Sequence, residues 1–249
     1  MLGPHTEIYG LITPGDWVDF FRHVSEPYEG LLVPETDNRD LKSLLIPKVM
    51  AAKEQFDVVF QPDYQPPALG DWTKDDKALP NSCQPFYLCA NTGPRWMLGG
   101  VMSRPFVTTA QSNGVCAISS IESSHLYGSS LLSNYMTFKK VDHCLCVMEG
   151  TLIVRIKGIP DAVFREGETV VIPAGQAFAL VFGSRYVRVW SFADGDGIEA
   201  VVHRLGVPFK GVVLPDQALD SDLTQVGSVA ASIDANIELN TLHYIYSCK

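Results

Sequence analysis

The sequence predicts an all-β domain, a sandwich or a barrel, preceded by an extension that contains short helices. From Trp96 onward, short apolar runs alternate with turn residues at intervals of roughly 8–12 residues, a spacing typical of β-sandwiches and barrels. The chain contains 20 glycines and 16 prolines, which suits many short elements joined by turns. Hydrophobic residues make up 46% and charged residues 19% of the chain, which is the composition of a folded protein.

Residues 1–95 are predicted to form an N-terminal wrap with short helices that packs on the barrel. Asp16 is a candidate N-cap, because aromatic residues follow it at helical spacing. Asp40 is a candidate N-cap for a second helix over residues 41–56, which Pro47 interrupts. The boundary at residue 95 is placed where Pro-, Asp- and Asn-rich sequence gives way to short apolar runs.

The barrel is predicted over residues 96–217, followed by a C-terminal tail over 218–249. The tail is predicted to contain a helix over 224–231 and a last extended piece over 242–246. The barrel strands are predicted from apolar runs bounded by turn residues, at 96–101, 105–110, 115–121, 131–138, 143–148, 151–157, 169–172, 177–182, 186–193 and 198–204.

The formal net charge of −9 argues against nucleic acid as a partner, because an acidic chain repels phosphate backbones and no basic stripe offsets the repulsion. No apolar stretch reaches the roughly 18 residues that span a bilayer, and the N-terminus lacks the basic and apolar regions of a signal peptide. The sequence therefore predicts a cytoplasmic protein with no membrane partner. In that compartment the six cysteines, none of them in CxxC spacing, are expected to be reduced thiols.

Two glycine-ended blocks stand close together in the barrel region. The first is His143-Cys-Leu-Cys-Val-Met-Glu-Gly150-Thr-Leu-Ile-Val154, and the second is Gly167-Glu-Thr-Val-Val-Ile-Pro173-Ala-Gly175. Gly150 is expected to turn the chain between two paired strands, and Pro173-Ala-Gly175 is expected to form a tight corner. The apolar alternation between these points supplies an inner and an outer barrel face.

These blocks resemble the end of the first and the start of the second sequence motif of the cupin superfamily. They occur in the same order, with the short gap of an intermotif hairpin. The resemblance implies a single cupin barrel of the RmlC-like jelly-roll type.

More of the chain is similar to one cupin group, the fungal quercetin 2,3-dioxygenase-like bicupins, and in particular to their C-terminal half. The similarity runs from about residue 11 to residue 217. Its segments are Pro14-Gly-Asp-Trp-Val-Asp-Phe-Phe-Arg22, Ser25-Glu-Pro-Tyr28, Ile118-Ser-Ser-Ile-Glu122, Pro173-Ala-Gly-Gln-Ala-Phe178, Phe182-Gly-Ser-Arg-Tyr186 and Phe192-Ala-Asp-Gly195. In bicupins of this type the C-terminal barrel is typically the one without the metal.

The metal-binding positions of the motifs are largely replaced in this chain. In a metal cupin, three histidines and one glutamate converge inside the barrel. The motif spacing puts His143 at the glutamate position, Met136 and Phe138 at the His-x-His pair, and Phe178 at the third histidine. One histidine cannot hold a catalytic metal, so no metal or other cofactor is expected. The dioxygenase activity of the family is not expected to transfer with the fold.

A metal-free barrel of this kind predicts an apolar pocket for a small aromatic or polyketide-like molecule. His143 is the candidate catalytic residue, since an imidazole can act as a general acid or base. Such a site would support isomerisation, dehydration, cyclisation or a pericyclic step. The resemblance to fungal bicupins implies a place in fungal secondary metabolism. The candidate substrate-binding residues are Met136, Phe138, Leu145, Val147, Phe178, Leu180, Trp190 and His125.

Two alternatives stay open from the sequence. His143 could be a core histidine among aromatic side chains that fill the barrel, which would make the protein a catalytically inert cupin that binds a ligand or a protein partner. The protein could also be an oxygenase with an atypical metal site. Because the chain lacks the covalent partner half of the bicupins, a homodimer that recreates the two-barrel arrangement is expected.

Overall fold

The computed structural model describes residues 8–12, 15–30, 36–59, 61, 63–66, 68–128 and 130–239. The chain divides into two compact units, residues 1–70 and 71–249, so that residues 71–95 are grouped with the barrel. The extended piece predicted over 242–246 lies outside the described residues. None of the helices in the described ranges has the length and apolar character needed to cross a bilayer.

The first unit contains the two helices predicted from the sequence, α1 (Trp17–Val24) and α2 (Leu41–Ala52). They pack through a small apolar cluster that includes Phe20 and Ala52. Asp40 caps α2 as predicted, because its carboxylate accepts hydrogen bonds from two first-turn amides. Pro47 lies inside α2 and does not interrupt it, contrary to the prediction.

Asp16 precedes α1 but does not cap it with its side chain. Its backbone is left-handed, with φ of 73°, and its carboxylate makes no cap hydrogen bond. The carbonyl oxygen of Asp16 accepts from the amide of Phe20 instead, at 3.0 Å. The helix was therefore predicted correctly, whereas the capping group was not.

The second unit consists of two antiparallel sheets that enclose one apolar core, with short helices at the edges. The seven-stranded sheet has the order β11-β1-β2-β3-β10-β5-β8, and the five-stranded sheet has the order β12-β4-β9-β6-β7. The strands are β1 (Trp96–Leu98), β2 (Val101–Val107), β3 (Ala117–Ser123), β4 (Tyr135–Phe138), β5 (His143–Glu149), β6 (Thr151–Ile156), β7 (Ala162–Arg165), β8 (Thr169–Ile172), β9 (Phe178–Phe182), β10 (Val187–Ala193), β11 (Val207–Pro208) and β12 (Ala235–Glu238).

The all-β class with short N-terminal helices is confirmed by this arrangement. Two helices follow β10, namely α3 (Ile198–Leu205) and α4 (Val226–Ser232), and the second of these was predicted over 224–231. Three short 3-10 helices complete the described elements, Asp75–Lys77, His125–Tyr127 and Leu131–Ser133, so that the predicted strand over 131–138 begins only at Tyr135.

The strand predicted over residues 198–204 is wrong, because this segment is the helix α3. Its β-branched valines favour a strand when they are considered alone. The apolar residues Ile198, Val201 and Val202 nevertheless recur at helical spacing, and all three are fully buried. Packing of that apolar face against the core stabilises the helix more than the strand preference of the valines opposes it.

Gly150 also differs from the prediction. It does not turn the chain between two paired strands, because β5 belongs to the seven-stranded sheet and β6 to the five-stranded sheet. Its backbone has φ of 80°, and a Cβ atom at this position would lie 2.3 Å from the carbonyl oxygen of Tyr186. Only glycine fits where the chain crosses so closely from one sheet to the other.

Candidate functional site

The four positions that correspond to the cupin metal ligands converge inside the barrel. His143 begins β5, Met136 and Phe138 lie on β4, and Phe178 begins β9. The His143 ring centroid is 4.6 Å from that of Phe138 and 5.4 Å from that of Phe178. Met136 pairs directly with Phe178 across the two strands. The barrel therefore brings these side chains together around one imidazole.

His143 is enclosed on all sides and is only 1% exposed. Neither of its ring nitrogens has a hydrogen-bond partner among the described residues. Burial lowers the pKa of His143 to about 4, although the charge of Asp142 and a contact with the Val141 backbone that falls short of hydrogen-bond geometry act in the opposite direction. The ring is therefore neutral at pH 7. A buried polar group without a partner is uncommon in folded proteins and calls for an explanation.

The other predicted apolar residues also face this interior. Leu145 and Val147 follow His143 at alternate positions of β5, and Leu180 follows Phe178 on β9. All three are at most 1% exposed and belong to the same apolar core. They form a tightly packed wall around the imidazole.

Two predicted binding residues lie away from this group. Trp190 lies on β10 between two inward-facing residues, so its indole is on the outer face of the seven-stranded sheet. Its ring centroid lies 5.5 Å from that of Phe106. His125 is exposed at the start of a 3-10 helix. The structure therefore does not bring Trp190 or His125 into the interior that contains His143.

Two serines add polar atoms to the same inner face. Ser119 of β3 and Ser191 of β10 are direct cross-strand partners, and both hydroxyls are buried without a hydrogen-bond partner among the described residues. The next inward pair along β10 places Ala193 opposite His143. The unpartnered hydroxyls therefore lie one step along the sheet from the imidazole.

Glu199 is a site residue that no motif in the sequence indicates. It lies in the first turn of α3 and is 2% exposed. Its Oε1 accepts a hydrogen bond from the amide of Gly197 at 2.8 Å, whereas its Oε2 has no partner within the described ranges. Burial raises the pKa of Glu199 to about 7, even though backbone amides at the helix start favour the ionised form.

Gly197 brings Glu199 and His143 close to each other. A Cβ atom built on Gly197 would lie 2.6 Å from Nε2 of His143 and 3.0 Å from Oε2 of Glu199. The two atoms can therefore be no farther apart than the sum of these distances, 5.6 Å. Two unpartnered titratable groups thus approach the same side of Gly197, where a Cβ atom could not be added without displacing a neighbouring group.

A surface pocket of about 170 Å³ adjoins this space. Glu199 and Ala117 contribute to it from the barrel side. Its rim is polar and includes an ion pair between Arg204 and Asp196. The Asp196 carboxylate also accepts a hydrogen bond from the hydroxyl of Thr109 at 2.7 Å. The complete lining consists of Thr108, Thr109, Ala117, Asp196, Glu199, Ala200, His203 and Arg204.

His203 is a second histidine of this region; it is half-buried and is held differently from His143. Its Nε2 lies 2.9 Å from the hydroxyl of Ser103, and its ring lies 4.3 Å from that of Trp96. Burial lowers the pKa of His203 to about 4. Since a hydroxyl and an indole already contact this ring, we assign it a structural part in the pocket wall.

The donor set does not suit a metal ion at the barrel centre. Within the described ranges, no group of three or more His, Cys, Asp and Glu side chains is arranged to hold one. At the ligand positions, Met136 offers a weakly donating thioether, and Phe138 and Phe178 offer no donor atom.

No protein-family model matches the sequence, and no curated protein matches it. Similar solved structures include the EutQ protein of Clostridium difficile, with 19% identity over 41% of this chain and 66% of that chain, at a TM-score of 0.32. The Cnp3 cupin domain of Schizosaccharomyces pombe matches with 12% identity over 39% of this chain and 61% of that chain, at a TM-score of 0.33. The ectoine synthase of P. lautus matches with 15% identity over 47% of this chain and 79% of that chain, at a TM-score of 0.35.

The matched region spans less than two thirds of the EutQ and Cnp3 chains. Similarities this distant say nothing about activity. The fold itself rests on the two facing sheets, on the positions of the two glycine-ended blocks and on the convergence of the motif positions around His143. The described part of the second unit is a single barrel with the cupin fold.

Proposed function

We propose that the protein is a metal-independent enzyme that acts on a small aromatic or polyketide-like molecule by proton transfer at His143. The observation that carries the proposal is the imidazole itself, which is buried among apolar side chains with both nitrogens unpartnered. A neutral imidazole has one nitrogen free to accept a proton and one able to donate. Isomerisation, dehydration, cyclisation and pericyclic steps all suit such a site.

The aromatic surroundings support a flat, largely apolar ligand. Phe138 and Phe178 lie on two sides of the imidazole, with their own ring centroids 6.1 Å apart. A ligand ring that displaces or stacks on these side chains would be held beside the proton-transferring nitrogen. The resemblance to the metal-free half of quercetinase-like bicupins agrees with such a ligand, and we place the reaction in fungal secondary metabolism.

A second candidate function is ligand or partner binding without catalysis. The tight packing favours it, because the side chains predicted to line the pocket are at most 1% exposed. In that case His143 would be a core histidine that is tolerated in its neutral form. An oxygenase with an atypical metal site is less well supported, since three of the four motif positions hold no good donor.

The probe 5-nitrobenzisoxazole separates the two candidates. It is a flat aromatic molecule in which a base removes the C3 proton, the N–O bond breaks, and a nitrile and a coloured phenolate form. We expect the protein to catalyse this elimination, and His143→Gln to lower the rate by about 100-fold, as is usual for loss of a general base. The matched control, His23→Gln, changes an exposed histidine and should retain the rate.

Equal rates in the native protein and in His143→Gln would contradict the proposal. If the probe perturbs the nuclear magnetic resonance spectrum of the barrel without being converted, binding without catalysis is the better description. The rate should also rise with pH through the pKa of His143, about 4, because only the neutral imidazole accepts the proton.

A further inference from the structure

We propose that Glu199 is the second proton-transferring residue of this site and that it acts on an oxygen atom of the ligand while His143 acts on a neighbouring C–H bond. The ligand class is accordingly an aromatic or polyketide-like molecule with a carbonyl or similar oxygen next to an acidic carbon. This inference rests on the proposed function and adds a residue, a reaction class and a route of access to it.

The geometry around Gly197 supports the pairing. Nε2 of His143 and Oε2 of Glu199 both approach the same side of Gly197, and both are buried without a hydrogen-bond partner among the described residues. A carbon and an oxygen atom of one ligand, joined through a carbonyl carbon, can contact two groups that lie within 5.6 Å of each other. The two groups come from β5 and α3, so the barrel and the helix that follows it each supply one of them.

The charges around the two groups favour opposite roles. Arg204 lines the same pocket as Glu199 but is paired with Asp196, and burial keeps His203 neutral by lowering its pKa to about 4. Burial keeps a large share of the Glu199 carboxyl protonated at neutral pH, because its pKa is raised to about 7. Asp142 is the carboxylate that acts on His143, and Asp196 is the one that acts on Glu199. The remaining polar groups of the inner face, the hydroxyls of Ser119 and Ser191, are uncharged.

A lone buried imidazole is a weak base, because the imidazolium that it forms is poorly solvated. Glu199 removes this difficulty. When it donates its proton to the ligand oxygen, it becomes a carboxylate within 5.6 Å of the new imidazolium. The two charges then form together and stabilise each other in a site that excludes water.

The proton balance closes without an oxidant or a reductant. The C–H proton of the ligand moves to neutral His143, the C–H electron pair forms a C=C bond, and the carbonyl oxygen takes the Glu199 proton to give an enol. In a ligand with a C=C bond at the β,γ position this enol is a dienol, so His143 can return its proton to the γ carbon while the C=C bond moves to the α,β position. The O–H proton of the dienol then returns to Glu199 as the C=O bond forms again. The net reaction is a proton shift next to a carbonyl group, and both residues regain their starting states.

The pocket of about 170 Å³ beside α3 gives such a ligand a route to the pair. Glu199 lies in its wall, and Thr108 and Thr109 carry hydroxyls at the same opening. A ligand that enters here meets Glu199 first with its polar end. Its reacting carbon reaches His143 only when the packing beside Gly197 opens, because a Cβ atom there would already lie 2.6 Å from Nε2 of His143 and 2.8 Å from Cβ of Ala193.

The pairing can be tested without any ligand. In full-length protein labelled with ¹³C and ¹⁵N at histidine, the His143 ring signals are followed between pH 5 and pH 9. We expect a step near pH 7, where Glu199 ionises, although His143 itself stays neutral throughout this range. Glu199→Gln should abolish the step. Asp142→Asn, which removes the other carboxylate near His143, should retain it.

The catalytic part is tested with 5-nitrobenzisoxazole, whose departing phenolate oxygen takes the place of the ligand oxygen. Glu199→Ala should lower kcat/KM by about 100-fold, as expected for loss of a buried donor, and Glu199→Gln should restore part of the rate because its amide also donates. Gly197→Ala places a methyl group between the pair while keeping both side chains. Its φ of −101° is accessible to alanine, and we expect at least a tenfold loss.

The absence of the step near pH 7, or its persistence in Glu199→Gln, would overturn the pairing even if His143→Gln abolishes elimination. Conversely, a step that responds to Glu199→Gln, together with elimination that ignores His143→Gln, would refute the proposed function and leave the pairing in place. If Gly197→Ala fails to fold, the two Glu199 variants still decide the question.

Discussion

Glu199→Gln should make the protein more stable at neutral pH, and the gain should grow with pH. The ordinary pKa of this carboxyl is 4.5, and burial raises it to about 7. The unfolded chain therefore ionises Glu199 more readily than the folded protein does, so the contribution of this group to stability is fully present below pH 4.5. That contribution is lost as the pH rises from 4.5 to about 7.

The difference between these two pKa values corresponds to about 3 kcal/mol at 25 °C. The side chain is 2% exposed, so solvent screening reduces this figure little. A glutamine keeps an acceptor for the Gly197 amide but does not ionise. The stability of the variant minus that of the native protein should rise by about 1.4 kcal/mol per pH unit above pH 4.5 and level off at about 3 kcal/mol above pH 7.

Urea unfolding at half-unit steps from pH 4.5 to pH 8 measures this difference. His143 and His203, whose pKa values are both lowered to about 4, destabilise the folded protein as the pH falls from 6.5, but they do so in both proteins and cancel in the difference. Glu166→Gln, at an exposed position, serves as the control for replacing a glutamate by glutamine. A difference for Glu199→Gln that does not change with pH would refute the buried, protonated carboxyl.

Three further outcomes test the fold. Gly150→Ala should lower the free energy of unfolding by more than about 2 kcal/mol, because it adds a contact at 2.3 Å to the strain of a positive φ. Gly158→Ala, with φ of 88° and open space around the new methyl group, should cost only about 1 kcal/mol. Equal losses in urea unfolding would contradict the close approach at Gly150. Phe178→Ala should cost about 3–5 kcal/mol by leaving a cavity against Phe138, and a loss below 1 kcal/mol would show that the interior is loosely packed. The expected homodimer should appear in size-exclusion chromatography with light scattering at micromolar concentration, and a monomer there would rule it out.

The barrel could be predicted from the sequence because turn residues and apolar runs are local signals. Gly175 adopts a positive φ angle in the corner after β8, where a tight turn was expected. The motif spacing also placed Met136, Phe138, His143 and Phe178 at one centre, and the structure brings these side chains together.

Glu199 could not be found in the same way, because its significance depends on burial. The segment after Gly197 was interpreted as a strand, and in a strand Glu199 would alternate out to solvent. The helical spacing of Ile198 and Val202 is the signal that could have corrected this interpretation, since a helix places Glu199 and His203 on one face. Nothing local in the sequence indicates that this face is covered by β1, β2 and β3.

The passage of the chain between sheets at Gly150 has a consequence for how the barrel folds. Because β5 and β6 leave in different sheets, β5 finds its partners only when β8 and β10 have been synthesised, and β10 also joins β3 from much earlier in the chain. Closing such long loops costs chain entropy before the strands gain any free energy from pairing, and this cost slows folding. Domains dominated by such non-local strand pairing fold in roughly milliseconds to seconds. A nascent chain that ends before β10 therefore leaves the edges of both β3 and β5 open, and during synthesis this interval is the one in which association with other chains is most favoured.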